Sequence, residues 1–253
     1  MRYLFLLLTL TLVTASAQPT LRSPFYAAGL QGAAGTAGGY DPLSVATLLA
    51  WYKPATYYTN GTTATWPDQK SSFHLTNAVG SSAPVGTNDG TRSYVIFDGV
   101  AAYLRCAAYT NAQRIEMWFA ANVDLANRYL FDSISSTYRV RVIEGGGTPP
   151  IIDAIAGAEL KRGLWLMQDW RVYTFVFNGA DSYVLTNGVL AGTAGNAGAN
   201  NQSGLTLASP YNLASFGTNN IGEILTYTET NGGAARAAIM NYLKTNNVVT
   251  TAP

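Results

Sequence analysis

From Tyr40 to Tyr227 the chain is a succession of short apolar runs, each closed by Gly, Pro, Asn or Asp. Runs of that kind are strands. A chain made of many of them must pack sheet on sheet to bury their apolar faces. Leu48–Tyr52 ends at Pro54, and Arg92–Phe97 is a second run. Ile115, Met117 and Phe119 alternate with Glu116, Trp118 and Ala120, which is the two-residue period of a sheet. Arg128–Asp132, Tyr138–Ile143 and Val172–Phe177 follow, with Arg139 and Arg141 on one face of their run. Tyr183–Thr186 meets Val189–Ala191 across Asn187-Gly188, a hairpin whose two turn positions need the positive φ that Asn and Gly accept. Leu213–Gly217 and Ile221–Tyr227 complete the strands. One helix is expected over 233–245, where Ala235, Ala238, Ile239, Tyr242 and Leu243 form a single stripe after the capping pair Thr230-Asn231. Its expected place is across the end of the sandwich, covering an edge. The fold class is all-β: a two-sheet antiparallel jelly-roll β-sandwich with one C-terminal helix.

The N-terminus is different in kind. Arg2 precedes an apolar stretch from Tyr3 to Val13, and Ala15-Ser16-Ala17 follows with the small-x-small pattern of a cleavage site. This is the order of a secretory signal, and the stretch is short for a membrane span. Residues 18–40 carry Gly29, Gly32, Gly35 and Gly38 among alanines and read as a Gly/Ala-rich linker. The globular domain is expected over 41–249, secreted or, alternatively, displayed on a virion surface. The linker could join copies into a homo-oligomer or a particle.

Composition removes several functions. Only 11% of residues are charged, against about 25% in ordinary domains. The net charge is +1 and no basic cluster appears along the sequence, so the charge needed to displace counterions from nucleic acid is missing. The single cysteine, Cys106, cannot form an internal disulfide and is expected as a buried thiol. The single histidine, His74, lies between Phe73 and Leu75, a structural setting that offers no second histidine for a triad.

Four segments, in order, carry a family resemblance. They are Leu49-Ala50-Trp51-Tyr52 with Trp66-Pro67-Asp68, then Phe97-Asp98-Gly99 with Tyr103-Leu104, then Val184-Leu185-Thr186-Asn187-Gly188-Val189, and last Ile221-Gly222-Glu223-Ile224-Leu225-Thr226-Tyr227 with Tyr242-Leu243. Together they resemble the concanavalin A-like lectin/glucanase superfamily in its laminin G-like branch. The resemblance implies the jelly-roll fold but not one function, because the family holds lectins, adhesion modules, virion domains and glucanases. Its glucanases place two or more acids on one strand. No strand here carries two acids two or four residues apart, and Glu116 and Glu223 each stand alone in that sense. Hydrolysis of a glycosidic bond needs two carboxyls about 5–9 Å apart. The expected function is therefore an exported, non-catalytic module that binds a glycan or surface polymer. A phage or virion decoration protein is the alternative, and a divergent glucanase-like glycosidase a second one.

Aromatics and amides supply the candidate ligand contacts: Tyr57, Tyr58 and Asn60 in one polar-aromatic stretch, Trp165 and Trp170 in another, and Tyr211 after Pro210. Oxygen ligands could hold calcium at Asp68, Asp98 and Asn219, against the plainer reading of Asp98-Gly99 as a turn. Cleavage after Ala17 removes one cation and no acid. Secreted protein should therefore begin at Gln18, as intact-mass measurement would show.

Overall fold

The computed structural model describes residues 39–60, 63–77, 83–124, 128–137, 139, 141–145, 151–162, 169–247 and 249. The expected export signal, residues 18–38 of the linker, and Trp165 lie outside the described residues. In chain order the strands are β1 (Leu48–Tyr52), β2 (Tyr58–Asn60), β3 (Thr63–Trp66), β4 (Leu75–Thr76), β5 (Val85–Asn88), β6 (Ser93–Asp98), β7 (Leu104–Arg105), β8 (Ile115–Asp124) and β9 (Arg128–Asp132). They continue with β10 (Arg141–Gly145), β11 (Ile151–Ile155), β12 (Glu159–Arg162), β13 (Arg171–Phe177), β14 (Tyr183–Thr186), β15 (Val189–Leu190), β16 (Thr206–Leu207) and β17 (Thr218–Tyr227). Helix α1 (Gly233–Asn247) follows.

Two antiparallel sheets result. Sheet A has the order β15-β14-β13-β8-β17-β6-β5, with β1 also on β17. Sheet B has the order β12-β11-β10-β9-β16-β7-β4-β3-β2. A register shift between Ile221 and Ile224 divides β17. Its first half pairs with β6 (Ile221 with Val95) and its second half with β1 (Leu225 with Trp51), so β1 and β6 lie end to end along one edge of β17.

The core fills the space between the sheets. Phe119 of sheet A stacks on Phe131 of sheet B at 5.2 Å and 3°, and Phe175 stands edge-on to both. Trp66 and Trp118 are fully buried and Trp51 nearly so. The Asn187-Gly188 turn has φ of 52° and 87°, the hairpin conformation its sequence requires. Cys106 is buried, and burial raises its thiol pKa to about 12.

Two expectations need correction. Leu213–Gly217 is not a strand. It belongs to a loop that satisfies its own backbone, with Gly217 N donating to Ala208 O at 2.7 Å and Ser209 Oγ to Ser215 O at 2.9 Å. Ala208 and Leu213 hold φ of 57° and 55°, which no strand allows. The helix does not cover an edge either. It lies on the outer face of sheet A, where Ile239, Met240 and Leu243 close over Trp118, Val172 and Leu225. Those three positions make the outer face apolar there, so the helix stripe buries against the face itself.

Two glutamates lie under the helix. Glu223 is 2% exposed and accepts from Trp51 Nε1 at 2.5 Å, Tyr242 Oη at 2.7 Å and Asn247 Nδ2 at 3.4 Å. Glu116 is fully buried and accepts from Trp118 Nε1 at 2.7 Å, Asn231 N at 2.9 Å and Arg236 Nη2 at 3.1 Å. These two carboxylates tie both ends of α1 to β1, β8 and β17. Removing one leaves several buried donors unpaired, so Glu223→Ala should cost about 2–4 kcal/mol in a urea titration.

Burial raises the Glu223 pKa despite the donors that oppose it. The folded chain then holds a proton that the unfolded chain has released. Stability from this group falls as pH rises from the ordinary glutamate value toward the folded value, and stays lower above it. Glu223→Gln should flatten that part of a Tm-against-pH profile.

Candidate functional site

Helix α1 closes only part of sheet A's outer face. On the remainder the registers set Val85, Ile96, Asn220 and Asn122 in one row across β5, β6, β17 and β8. Asn122 and Asn220 are direct cross-strand partners, so their side chains stand side by side. Tyr94 projects from the same face two residues before Ile96. Trp170 enters just before β13. All are half-buried except Val85, which is 59% exposed.

Gly222 explains how Trp170 lies. A Cβ at Gly222 would come within 3.2 Å of the Trp170 ring and would strike Asn247 Oδ1. The missing side chain thus lets the indole and the last turn of α1 approach the sheet. Trp170 meets Tyr94 edge-on at 5.2 Å and 66°. The Arg92 guanidinium lies 4.8 Å from the Trp170 ring, a cation–π contact. Asp89 is 3.6 Å from Arg92, and backbone N–H groups of Arg92 and Thr91 hold its carboxyl below the usual carboxylate range. The assembly is an aromatic pair, a planar cation and two amides on one face. Such groups suit the apolar faces and hydroxyls of a sugar.

The outer face of sheet B carries another row. Tyr58, Thr65, Thr76, Arg105, Thr206 and Asp132 follow one another across β2, β3, β4, β7, β16 and β9. The loop after β16 brings Tyr211 to this face, where its N–H donates to Asp132 at 3.0 Å. Arg139 lies 4.7 Å over the Tyr211 ring and donates to Asp132 at 2.6 Å.

The structure does not gather the residues singled out in the sequence. Trp170 is on sheet A's outer face, while Tyr211 and Tyr58 are on sheet B's. Tyr58 is 41% exposed and Asn60 is exposed at the end of β2. Tyr57 packs edge-on to Trp66 at 6.4 Å and donates its hydroxyl to Pro84 O, a brace rather than a contact surface. Burial raises the Tyr57 hydroxyl pKa. Arg92, Tyr94, Asn122 and Asn220 escaped notice because only strand register puts them beside Trp170. The alternation within β6 and β17 was the one available signal.

Asp68, Asp98 and Asn219, the candidate calcium ligands, each make hydrogen bonds within the fold. Asp68 accepts from Trp51 N and Lys70 N at 2.9 Å each and from Ser71 Oγ, pinning the β3–β4 connection to β1. Asp98 Oδ1 accepts from the N–H of Val100, Ala101 and Ala102 at 2.9, 3.1 and 3.0 Å, so it closes the Asp98-Gly99 turn. Asn219 is buried and donates to Tyr129 O at 3.1 Å. These are three separate structural jobs: both Asp68 oxygens and Asp98 Oδ1 accept hydrogen bonds, and Asn219 works through its amide N–H. Among the described residues no group of three or more His, Cys, Asp or Glu could hold a metal. His74 accepts from Asp68 N at 3.0 Å, a structural bond.

No family model matches the sequence, and comparison with curated proteins finds no match either. Solved structures do match. A sialidase from Trypanosoma rangeli, in complex with sialic acid, superposes with a TM-score of 0.58 at 11% identity over 81% of this chain. The fold is a two-sheet antiparallel jelly-roll β-sandwich with one C-terminal helix. The binding domain of Paraclostridial Mosquitocidal Protein 1 superposes with a TM-score of 0.56 at 9% identity over 80% of this chain. Domain 4 of AbnA, an extracellular arabinanase of Geobacillus stearothermophilus in complex with arabinotriose, gives 0.51 at 13% identity over 72% of this chain. The chain covers 34% of the sialidase, 53% of the mosquitocidal domain and 92% of the arabinanase domain. At such identities the likeness is one of fold.

The packing around Gly222 makes a direct prediction. Gly222→Ala should displace the Trp170 ring and the end of α1, at a cost of about 1–3 kcal/mol. A shift in tryptophan fluorescence at low denaturant, with unchanged β-sheet circular dichroism, is the expected signature.

Proposed function

We propose that this chain is an exported, non-catalytic module of the laminin G-like kind that recognises a glycan or another surface polymer. Its recognition surface is the part of sheet A's outer face that α1 leaves open. The observation that carries this reading is the aromatic pair Tyr94–Trp170, 5.2 Å apart, over a face that also bears the amide pair Asn122–Asn220. Aromatic faces and amides on a rigid sheet make an orienting surface without any reacting group.

Three neighbours of the same fold support it: a sialidase bound to sialic acid, an arabinanase domain bound to arabinotriose, and a toxin's binding domain. The absence of catalysis is supported by the fate of the two buried glutamates. Glu116 and Glu223 spend their oxygens on indole, amide, hydroxyl and guanidinium donors that hold α1. A general acid needs a carboxyl facing substrate. The export reading rests on the order Arg2, apolar stretch, Ala15-Ser16-Ala17.

A glycan-array screen of the full chain tests the proposal. Binding to a defined glycan is expected, with Trp170→Ala weakening it by roughly tenfold or more, the share of ~1.4 kcal/mol or more that one buried aromatic carries. Tyr58→Ala, on the other sheet, should leave it unchanged. Chelator should also have no effect. Binding that survives Trp170→Ala would remove this face from consideration. Failure to bind any glycan would favour a structural part, such as a virion surface component.

A further inference from the structure

On the outer face of sheet B the fold collects three arginines that are scattered in the sequence. Arg105 is on β7, Arg141 opens β10 and Arg139 lies just before it. One carboxylate, Asp132, lies among them and bonds Arg139. Asp132 is fully buried, and both of its oxygens are taken: by Ser133 N at 2.8 Å, by Tyr211 N at 3.0 Å, and by Arg139 through Nε at 3.0 Å and Nη2 at 2.6 Å.

Arg139 is thereby neutralised, whereas among the described residues its neighbours have no carboxylate at ion-pair distance. The Tyr129 hydroxyl lies 3.5 Å from Arg139 Nη2 and 3.4 Å from Arg141 Nη1, so two cations share one neutral oxygen at long distance. Arg141 Nε is buried and has no hydrogen-bond partner. Arg105 donates to Thr206 Oγ1 at 3.0 Å and to the Tyr211 carbonyl at 2.5 Å, both neutral. Among the described residues neither Arg105 nor Arg141 has an ion-pair partner.

The other charges of this face occupy one another. Glu159 pairs with Lys161 at 3.4 Å, and Asp153 lies near enough to feel Glu159, Lys161 and Arg141, without an ion-pair contact to Arg141. A desolvated guanidinium edge without an anion is costly, and a carboxylate brings both the charge and the two-pronged geometry that such an edge accepts.

We propose that this face is a second binding site, one that takes the carboxylate groups of an acidic glycan. Arg141 and Arg105 contact the anion, and the Tyr129 hydroxyl donates a further bond. Arg139 and Asp132 hold the floor of the site in place. The inference rests on the glycan-binding reading above for the nature of the polymer, but it uses the opposite face of the sandwich.

Affinity electrophoresis of the full chain in gels containing polygalacturonate tests it, with fully methyl-esterified polygalacturonate as the neutral counterpart and dextran sulfate as the sulfated one. Retardation by polygalacturonate alone is expected. Arg141→Gln should weaken it by roughly 10- to 100-fold, the worth of one charged hydrogen-bonding pair. Arg105→Gln is the second variant, should Arg141→Gln lower the melting temperature. Trp170→Ala should leave this retardation in place. Equal retardation by the methyl ester or by dextran sulfate, or no loss in a folded Arg141→Gln and Arg105→Gln, would overturn the carboxylate site. Acid-polymer binding lost with Arg141, in a protein that binds no neutral glycan, would sink the sheet A surface and keep this one.

Discussion

The pairing of β8 with β17 is the axis on which the rest of the molecule depends. These ten-residue strands lie at the centre of sheet A and run together from Thr218–Asp124 to Tyr227–Glu116. One face of the pair meets the inter-sheet core through Met117, Phe119, Ile221 and Ile224. The other meets α1 through Trp118, Leu225 and Tyr227. A pair covered on both faces has no solvent to receive a polar side chain. That constraint explains Glu116 and Glu223: each is tolerated because every donor it needs has been brought to it. It also explains the helix, whose stripe would have no purpose over a polar face.

The same constraint separates the part of sheet A that serves the fold from the part proposed as a binding surface. Where α1 covers sheet A, polar groups serve the fold. Beyond the end of α1, the same strands present Asn122, Asn220, Tyr94 and Ile96 at half exposure. Gly222 is the joint between the two regimes, since it lets Trp170 and Asn247 meet over the sheet. A rigid, doubly covered centre gives the open part a fixed geometry, and fixed geometry reduces the entropy lost on binding.

Much of the fold was legible in the sequence because its signals are local. The Asn187-Gly188 turn, the alternation from Ile115 to Phe119 and the stripe Ile239–Leu243 each follow from neighbouring residues. The aspartate turns at Asp89 and Asp98 are equally local. What could not be read was whatever depends on register between distant strands. Asn122 meets Asn220, and Arg105 comes beside Tyr211 and Asp132, only after the sheets form. A chain with no basic cluster along its length therefore has one in space. Tyr57 shows the converse: an aromatic in a polar stretch became a brace because Trp66 and Pro84 were within reach. Residues 213–217 read as a strand because their apolar residues carry no mark of the positive φ that Leu213 adopts, in a loop that Ala208 opens with the same conformation.

The placement of β1 bears on when the chain can fold. Among the described strands it pairs only with β17, and the Tyr40 hydroxyl bonds that of Tyr227 across 187 residues of sequence. During synthesis β1 can meet the segment around Asp68 early, through Trp51 N to Asp68 and Gln69 N to Trp51 O, but its strand partner comes only with β17, near the end. The edge of β17 that β1 occupies is also where Glu223 receives the Trp51 indole, so the central carboxylate stays unmet until that late closure. Long-range pairing of this kind folds slowly. The centre of sheet A therefore closes last, around a carboxylate whose indole partner is one of the first residues of the domain.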